Sequence, residues 1–158
     1  MEMISDREHI LLAVIDRLRI IRATDAAWLA GYTDYTYCRK CLRKLCDMGL
    51  LQICRDSAGS NCYYLSGRGL AVLGKQTSHT YEVSATTHHA LVVGRVCAWL
   101  RHTEGASPGE LLTDSVLRSK GDKQRHRPDI VFRGHAYEIE LNHKPLSLLE
   151  KNIRDNSS

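Results

Sequence analysis

No stretch of this 158-residue sequence is apolar for long enough to cross a bilayer. The first residues, Met1-Glu2-Met3-Ile4-Ser5-Asp6, have neither the basic nor the apolar region of a signal peptide, so the chain is expected to be cytoplasmic. A glycine-rich phosphate loop is lacking too, because Gly67-x-Gly69 opens a helix without the rest of a fingerprint. Zinc ligation finds little support. Cys38-x-x-Cys41 with Cys46 has suggestive spacing but falls within one expected helix, with no second Cys/His pair at a suitable distance. These three, with Cys54, Cys62 and Cys97, are expected to be reduced thiols. Neither an internal repeat nor a low-complexity tract is present.

What remains is an ordinary globular composition, 43% hydrophobic and 25% charged, with a net charge of +4. The sequence pI is near 8.8, a mild basicity compatible with nucleic acid. Apolar residues at 10, 11, 14, 15 and 18 predict a helix over 6–20, and Ser5-x-x-Glu8 reads as a capping box in front of it. A short helix is expected over Thr24–Ala30, and a third from about Asp34 to Met48, ended by Gly49. The third would turn Tyr37, Cys41, Leu45 and Met48 inward, with Leu42 beside them, and Arg39, Lys40, Arg43 and Lys44 outward. The period then changes to that of two strands, Leu50–Arg55 and Asn61–Leu65, around the turn residues 56–60. A helix over Ser66–Leu73 follows. This order resembles a winged helix-turn-helix domain. The resemblance implies that Tyr35, Thr36, Arg39, Lys40 and Arg43 face the major groove of double-stranded DNA, with the wing tip at Arg55–Asn61 on backbone or minor groove. The alternative is a solvated basic helix face.

The expected division is a DNA-binding domain over 1–76, a polar linker over 77–86 and a second module over 87–158. In the second module an amphipathic helix spans about His88 to Arg101, with Leu91, Val92, Val96, Trp99 and Leu100 apolar. Residues 111–117 fit either strand or helix. Two strands are expected at 129–133 and 136–142 around Arg133-Gly134-His135, then a helical stretch at about 145–153. Between them the basic run 118–127, with Arg118, Lys120, Lys123, Arg125 and Arg127 against Asp122, would clamp a DNA backbone or form a solvated loop.

The chemistry concentrates at Asp129, Glu138 and Glu140. On a strand, Glu138 and Glu140 project from one face, and acids on such a face are costly without partners. A divalent cation would resolve that cost, and hard carboxylate oxygens suit Mg²⁺ or Mn²⁺. The alternative is a solvated hairpin face paired with Arg127, Arg133 and Lys144. His88 and His89 are either contacts to metal, phosphate or carboxylate, or exposed residues of a first helical turn. Glu110 is either a further ligand or a solvated acid.

His89-Ala90-Leu91, Arg127-Pro128-Asp129, Glu138-Ile139-Glu140-Leu141 and Lys144 together resemble the motifs of the PD-(D/E)xK, restriction-endonuclease-like fold. The closer similarity is to plasmid replication-relaxation proteins and MobC-type mobilisation relaxases, in which a winged helix precedes that module. The resemblance implies an α+β chain and metal-dependent nicking at a plasmid origin of transfer or replication, with accessory mobilisation proteins as partners. Asp129, Glu138 and Glu140 would be metal-binding and catalytic, joined by Lys144 and His89, with Arg125 and Arg127 on DNA. Two departures stand out. The general pattern puts Lys two residues after the acid, where this chain has Glu140. The family core also continues with a further strand after the last helix, so the module is expected to be truncated. Both favour the alternative of a non-catalytic DNA-binding regulator or accessory protein. A winged helix that binds protein is a third reading. Tyr63, Tyr64, Tyr81 and Tyr137 are nucleophiles in principle, but no motif marks them, and His88-His89 is not the His-hydrophobic-His motif of tyrosine relaxases.

Overall fold

Ser5 begins the first helix as its sequence predicts. Ser5 Oγ accepts from the Glu8 amide at 3.1 Å, and Glu8 Oε1 accepts from the Ser5 amide at 3.1 Å, which satisfies two otherwise orphaned donors. The computed structural model describes residues 3–121, 123 and 126–141, and the chain is a mixed α+β protein with two small antiparallel sheets. Helix α1 (Asp6–Leu18) buries Leu11, Leu12 and Ile15 completely. Strand β1 (Ile21–Arg22) leads into α2 (Ala23–Leu29). Asp34 then caps α3 (Tyr35–Asp47) by accepting from the amides of Thr36 and Tyr37.

Helix α3 buries Cys41, Leu42 and Leu45 as expected, but Cys38 takes the inward place expected of Tyr37. Cys38, Cys41, Leu42 and Leu45 are buried, while Tyr37 is 48% exposed and Met48 half-buried. The buried set follows the i, i+3, i+4, i+7 stripe of a core-facing helix. Tyr37 instead tilts against Tyr32 at 5.9 Å between ring centroids, near the surface. Lys44 also leaves the expected outer face. Its Nζ reaches Glu8 Oε1 at 3.1 Å and ties α3 to the start of α1.

Strands β2 (Leu51–Arg55) and β3 (Asn61–Leu65) form a hairpin, and β3 also pairs with β1, so the sheet order is β1-β3-β2. Cys54 and Cys62 sit opposite one another in this register as free thiols. Burial pushes the Cys62 thiol up to about 11 and the Cys38 thiol to about 12, as expected of inert core cysteines. Ser66 caps α4 (Gly67–Val72), accepting from the Gly69 amide and donating to the Gly49 carbonyl at 2.6 Å.

The segment after α4 lies against the protein. Lys75 pairs with Asp16, Arg19 donates to the His79 carbonyl, and Tyr81 stacks edge-on against Tyr64. Helix α5 (Thr87–Glu104) packs on α2 and β1. Its Val93, Cys97, Ala98 and Leu100 join the same apolar cluster as α1, α2 and α3. Of the apolar residues expected on this helix, Leu91 and Leu100 are buried and Val96 packs against the core, whereas Trp99 is 55% exposed. Residues 111–117 resolve into both candidates, a short strand β4 (Leu112–Thr113) and then α6 (Asp114–Ser119). Strands β5 (Ile130–Phe132) and β6 (His135–Tyr137) complete the second sheet in the order β4-β5-β6. Arg133 and Gly134 turn between them, both at positive φ, the two-residue geometry that fits a hairpin's twist. Arg125, Lys144 and the helical stretch expected near 145–153 lie outside the described residues. No described helix is long and apolar enough to cross a membrane.

Gly69 has a packing role. A Cβ there would lie 2.2 Å from the Leu50 carbonyl oxygen, a backbone atom that cannot swing aside. Gly69→Ala is expected to lower stability by about 1–3 kcal/mol through overpacking, read as a lower urea midpoint with unchanged slope.

Candidate functional site

Part of the set nominated for nucleic-acid contact lines one groove. Tyr35 and Arg39 reach it from the first turns of α3, and Arg55, Gly59, Ser60 and Asn61 from the hairpin. Arg22 of β1 and Arg95 of α5 complete an arginine quartet around a space of about 550 Å³. Arg39 lies over the Tyr35 ring, 5.9 Å from its centroid, which preorients both side chains. Thr36, Lys40 and Arg43 are exposed on α3. Arg22 and Arg95 were not legible as groove residues, since one is on a two-residue strand and the other on a helix remote in sequence.

The acids nearest this groove stand behind its arginines. Arg22 Nε donates to Asp56 Oδ2 at 2.8 Å, and Arg95 Nε pairs with Asp25 Oδ1 at 2.8 Å. No carboxylate is among the groove's lining residues. Asp56 also shapes the hairpin tip, accepting from the amides of Ala58 and Ser60 at 2.9 Å each. The Arg22 hydrogen bond, with those backbone bonds, holds the Asp56 carboxyl below its ordinary range.

A second constellation lies on the other sheet. Asp129, just before β5, accepts from the Ile139 amide at 2.8 Å, and His89 Nε2 lies 3.2 Å from its Oδ2. Glu138 Oε1 is 2.8 Å from His126 Nε2. Burial pushes the Glu138 carboxyl up, and the neighbouring Asp129 charge adds to the rise against the His126 contact. His126 was missed in the sequence, where it is one basic residue among many. Glu140 is exposed and outside this pair. Strand β6 ends at Tyr137, short of the expected 142, so Glu138 and Glu140 do not alternate along one strand face. Among the described residues no three or more His, Cys, Asp or Glu side chains group as a metal-binding set. The donor chemistry does fit a lesser arrangement, because Mg²⁺ is often held by one or two carboxylates, the rest being water or phosphate oxygen.

The remaining candidates have local roles. Glu110 closes a capping box with Ser107 at the 3₁₀ turn Pro108–Glu110 and accepts from Arg133 Nε at 3.0 Å. Arg118 and Arg127 both bond Asp114, at 3.0 and 2.6 Å, so part of the basic run is engaged within the protein. His88 is exposed. Tyr63 is buried, and Tyr81 hydroxyl bonds Thr87 at 2.8 Å. No protein-family model matches the chain, and no curated protein is significantly similar to it.

The Arg22–Asp56 pair carries a pH signature. Because folding lowers the Asp56 pKa, its contribution is complete above the ordinary carboxylate range and is lost as pH falls through the lowered value. Asp56→Asn keeps an acceptor for the turn amides but removes the charge. Its melting temperature is expected to fall below wild type at neutral pH, with the gap closing in acid.

Proposed function

We propose that this chain binds duplex DNA as a winged helix-turn-helix protein, with α3 as the recognition helix and the β2–β3 hairpin as the wing. The carrying observation is the groove between them, lined by four arginines, two of which are held by carboxylates outside the lining. A phosphate backbone is the ligand that such a surface suits, since each neutralised phosphate releases counterions. The α3 residues Tyr35, Thr36, Arg39, Lys40 and Arg43 would face base edges and flanking phosphates, and Arg55 would hold the backbone from the wing. A plasmid origin of transfer or replication is the proposed target.

A second reading, metal-dependent nicking of the relaxase kind, rests on the Asp129–Glu138 pair. Two like charges that raise a carboxyl pKa gain from a divalent cation, and Asp129 and Glu138 are the residues that would hold Mg²⁺ or Mn²⁺. Bound there, the cation would supply Lewis-acid activation of a phosphodiester. His89 and His126 would orient the two carboxylates from either side. Glu140 and Lys144 would act as further catalytic groups, with Arg127 near the backbone. Initiation of plasmid mobilisation with accessory proteins would follow from such nicking.

Anisotropy titration of a short labelled duplex tests the first reading. Arg39→Ala is expected to cost about 1–3 kcal/mol and to relax sequence preference, whereas Arg55→Ala should weaken all duplexes and lower the salt slope by about one. Binding by wild type that ignores both substitutions and salt would contradict the reading. For the second, supercoiled plasmid should become open circle only with Mn²⁺, and Glu138→Ala should abolish this while leaving duplex affinity intact. Conversion that persists in Glu138→Ala, or none with wild type, leaves DNA binding alone.

A further inference from the structure

Arg95 stands apart from the other groove arginines, because it comes from α5 rather than from the three helices and hairpin. Its side chain is 58% exposed, yet the carboxylate that holds it is only 2% exposed. Asp25 sits on α2, with Oδ1 on Arg95 Nε at 2.8 Å and Oδ2 buried without a hydrogen-bond partner. Arg95 Nη2 lies 3.4 Å from Thr24 Oγ1, a second and weaker tether to α2. A guanidinium carries five N–H donors. Nε is ion-paired with Asp25 and Nη2 donates to Thr24, both on α2, and no other protein partner is present for this side chain among the described residues.

Burying a carboxylate is costly unless it is paired, so the geometry at Asp25 needs a reason. As a staple between α2 and α5 it adds little, because Val93, Cys97 and Leu100 already hold α5 on the common core. What the pair does accomplish is orientation. A long, flexible arginine is held at its Nε by Asp25 while its side chain lines a groove otherwise built by β1, the start of α2, α3 and the hairpin.

We propose that α5 is part of the DNA-binding surface, with Arg95 contacting a backbone phosphate and Asp25 acting as its positioning residue. This rests on the duplex-binding reading above. It extends the contacted surface beyond the winged helix, so a fragment ending before α5 would lack one phosphate contact. The buried carboxylate accounts for the choice of arginine. A lysine can pair with Asp25 but offers a point charge, whereas arginine can pair at one edge and present a fork at the other.

The test is anisotropy titration of the full chain with a short mixed-sequence duplex across a salt series. Arg95→Ala is expected to weaken binding roughly three- to tenfold and to reduce the slope of log affinity against log salt by about 0.9, the signature of one lost phosphate. Asp25→Asn keeps the arginine, and is expected to give a partial loss of affinity with a smaller change of slope. If Arg95→Ala unfolds by leaving Asp25 unpaired, the Asp25→Asn/Arg95→Gln pair supplies neutral partners of similar shape and should show the full loss. A folded Arg95 variant with wild-type affinity and slope would overturn the assignment while duplex binding stands. Wild type without affinity for the duplex would overturn both.

Discussion

Helix α5 rests on α2 and β1 through Val93, Cys97, Ala98 and Leu100, and the placement of Arg95 and His89 depends on that contact. From this one helix Arg95 joins the arginine groove and His89 approaches Asp129. A rigid element of this length sets the two constellations at a fixed separation. The segment before α5 is tied down as well, through Lys75–Asp16 and the Tyr64–Tyr81 contact. The polar run that reads as a linker is thus fastened to α1 and β3 at several points.

The groove illustrates how a modestly basic chain can gather four arginines on one surface. With a net charge of +4, the excess of cations is small. Asp25 and Asp56 offset part of the charge of Arg95 and Arg22 but leave the groove lining itself to the arginines. Each is a partner that holds a guanidinium still, and a preoriented side chain loses less entropy on binding than a free one. The hairpin tip gains order from the same device, since Asp56 fixes both Arg22 and the turn amides.

Local order was legible in the sequence and long-range pairing was not. The capping box at Ser5, the Asp34 start of α3, and the hairpin over 51–65 all follow from patterns confined to a few residues. On the inward face of α3, Cys41, Leu42 and Leu45 were legible but Tyr37 was not, because it counts as apolar yet keeps its ring near the surface against Tyr32. Glu138 and Glu140 read as a strand face, but the strand ends at Tyr137 and only Glu138 approaches Asp129. Arg22, Arg95 and His126 gave no signal. Their partners Asp56, Asp25 and Glu138 are set by the fold, and a single sequence holds no record of such pairings.

Hydrogen exchange along the chain, with and without a short duplex, tests the central claim most directly. Duplex binding in the arginine groove predicts slowed exchange in three places at once: the first turns of α3, the hairpin tip around residues 56–60, and α5 around Arg95. Protection confined to the segment around Asp129, with the groove unchanged, would contradict it.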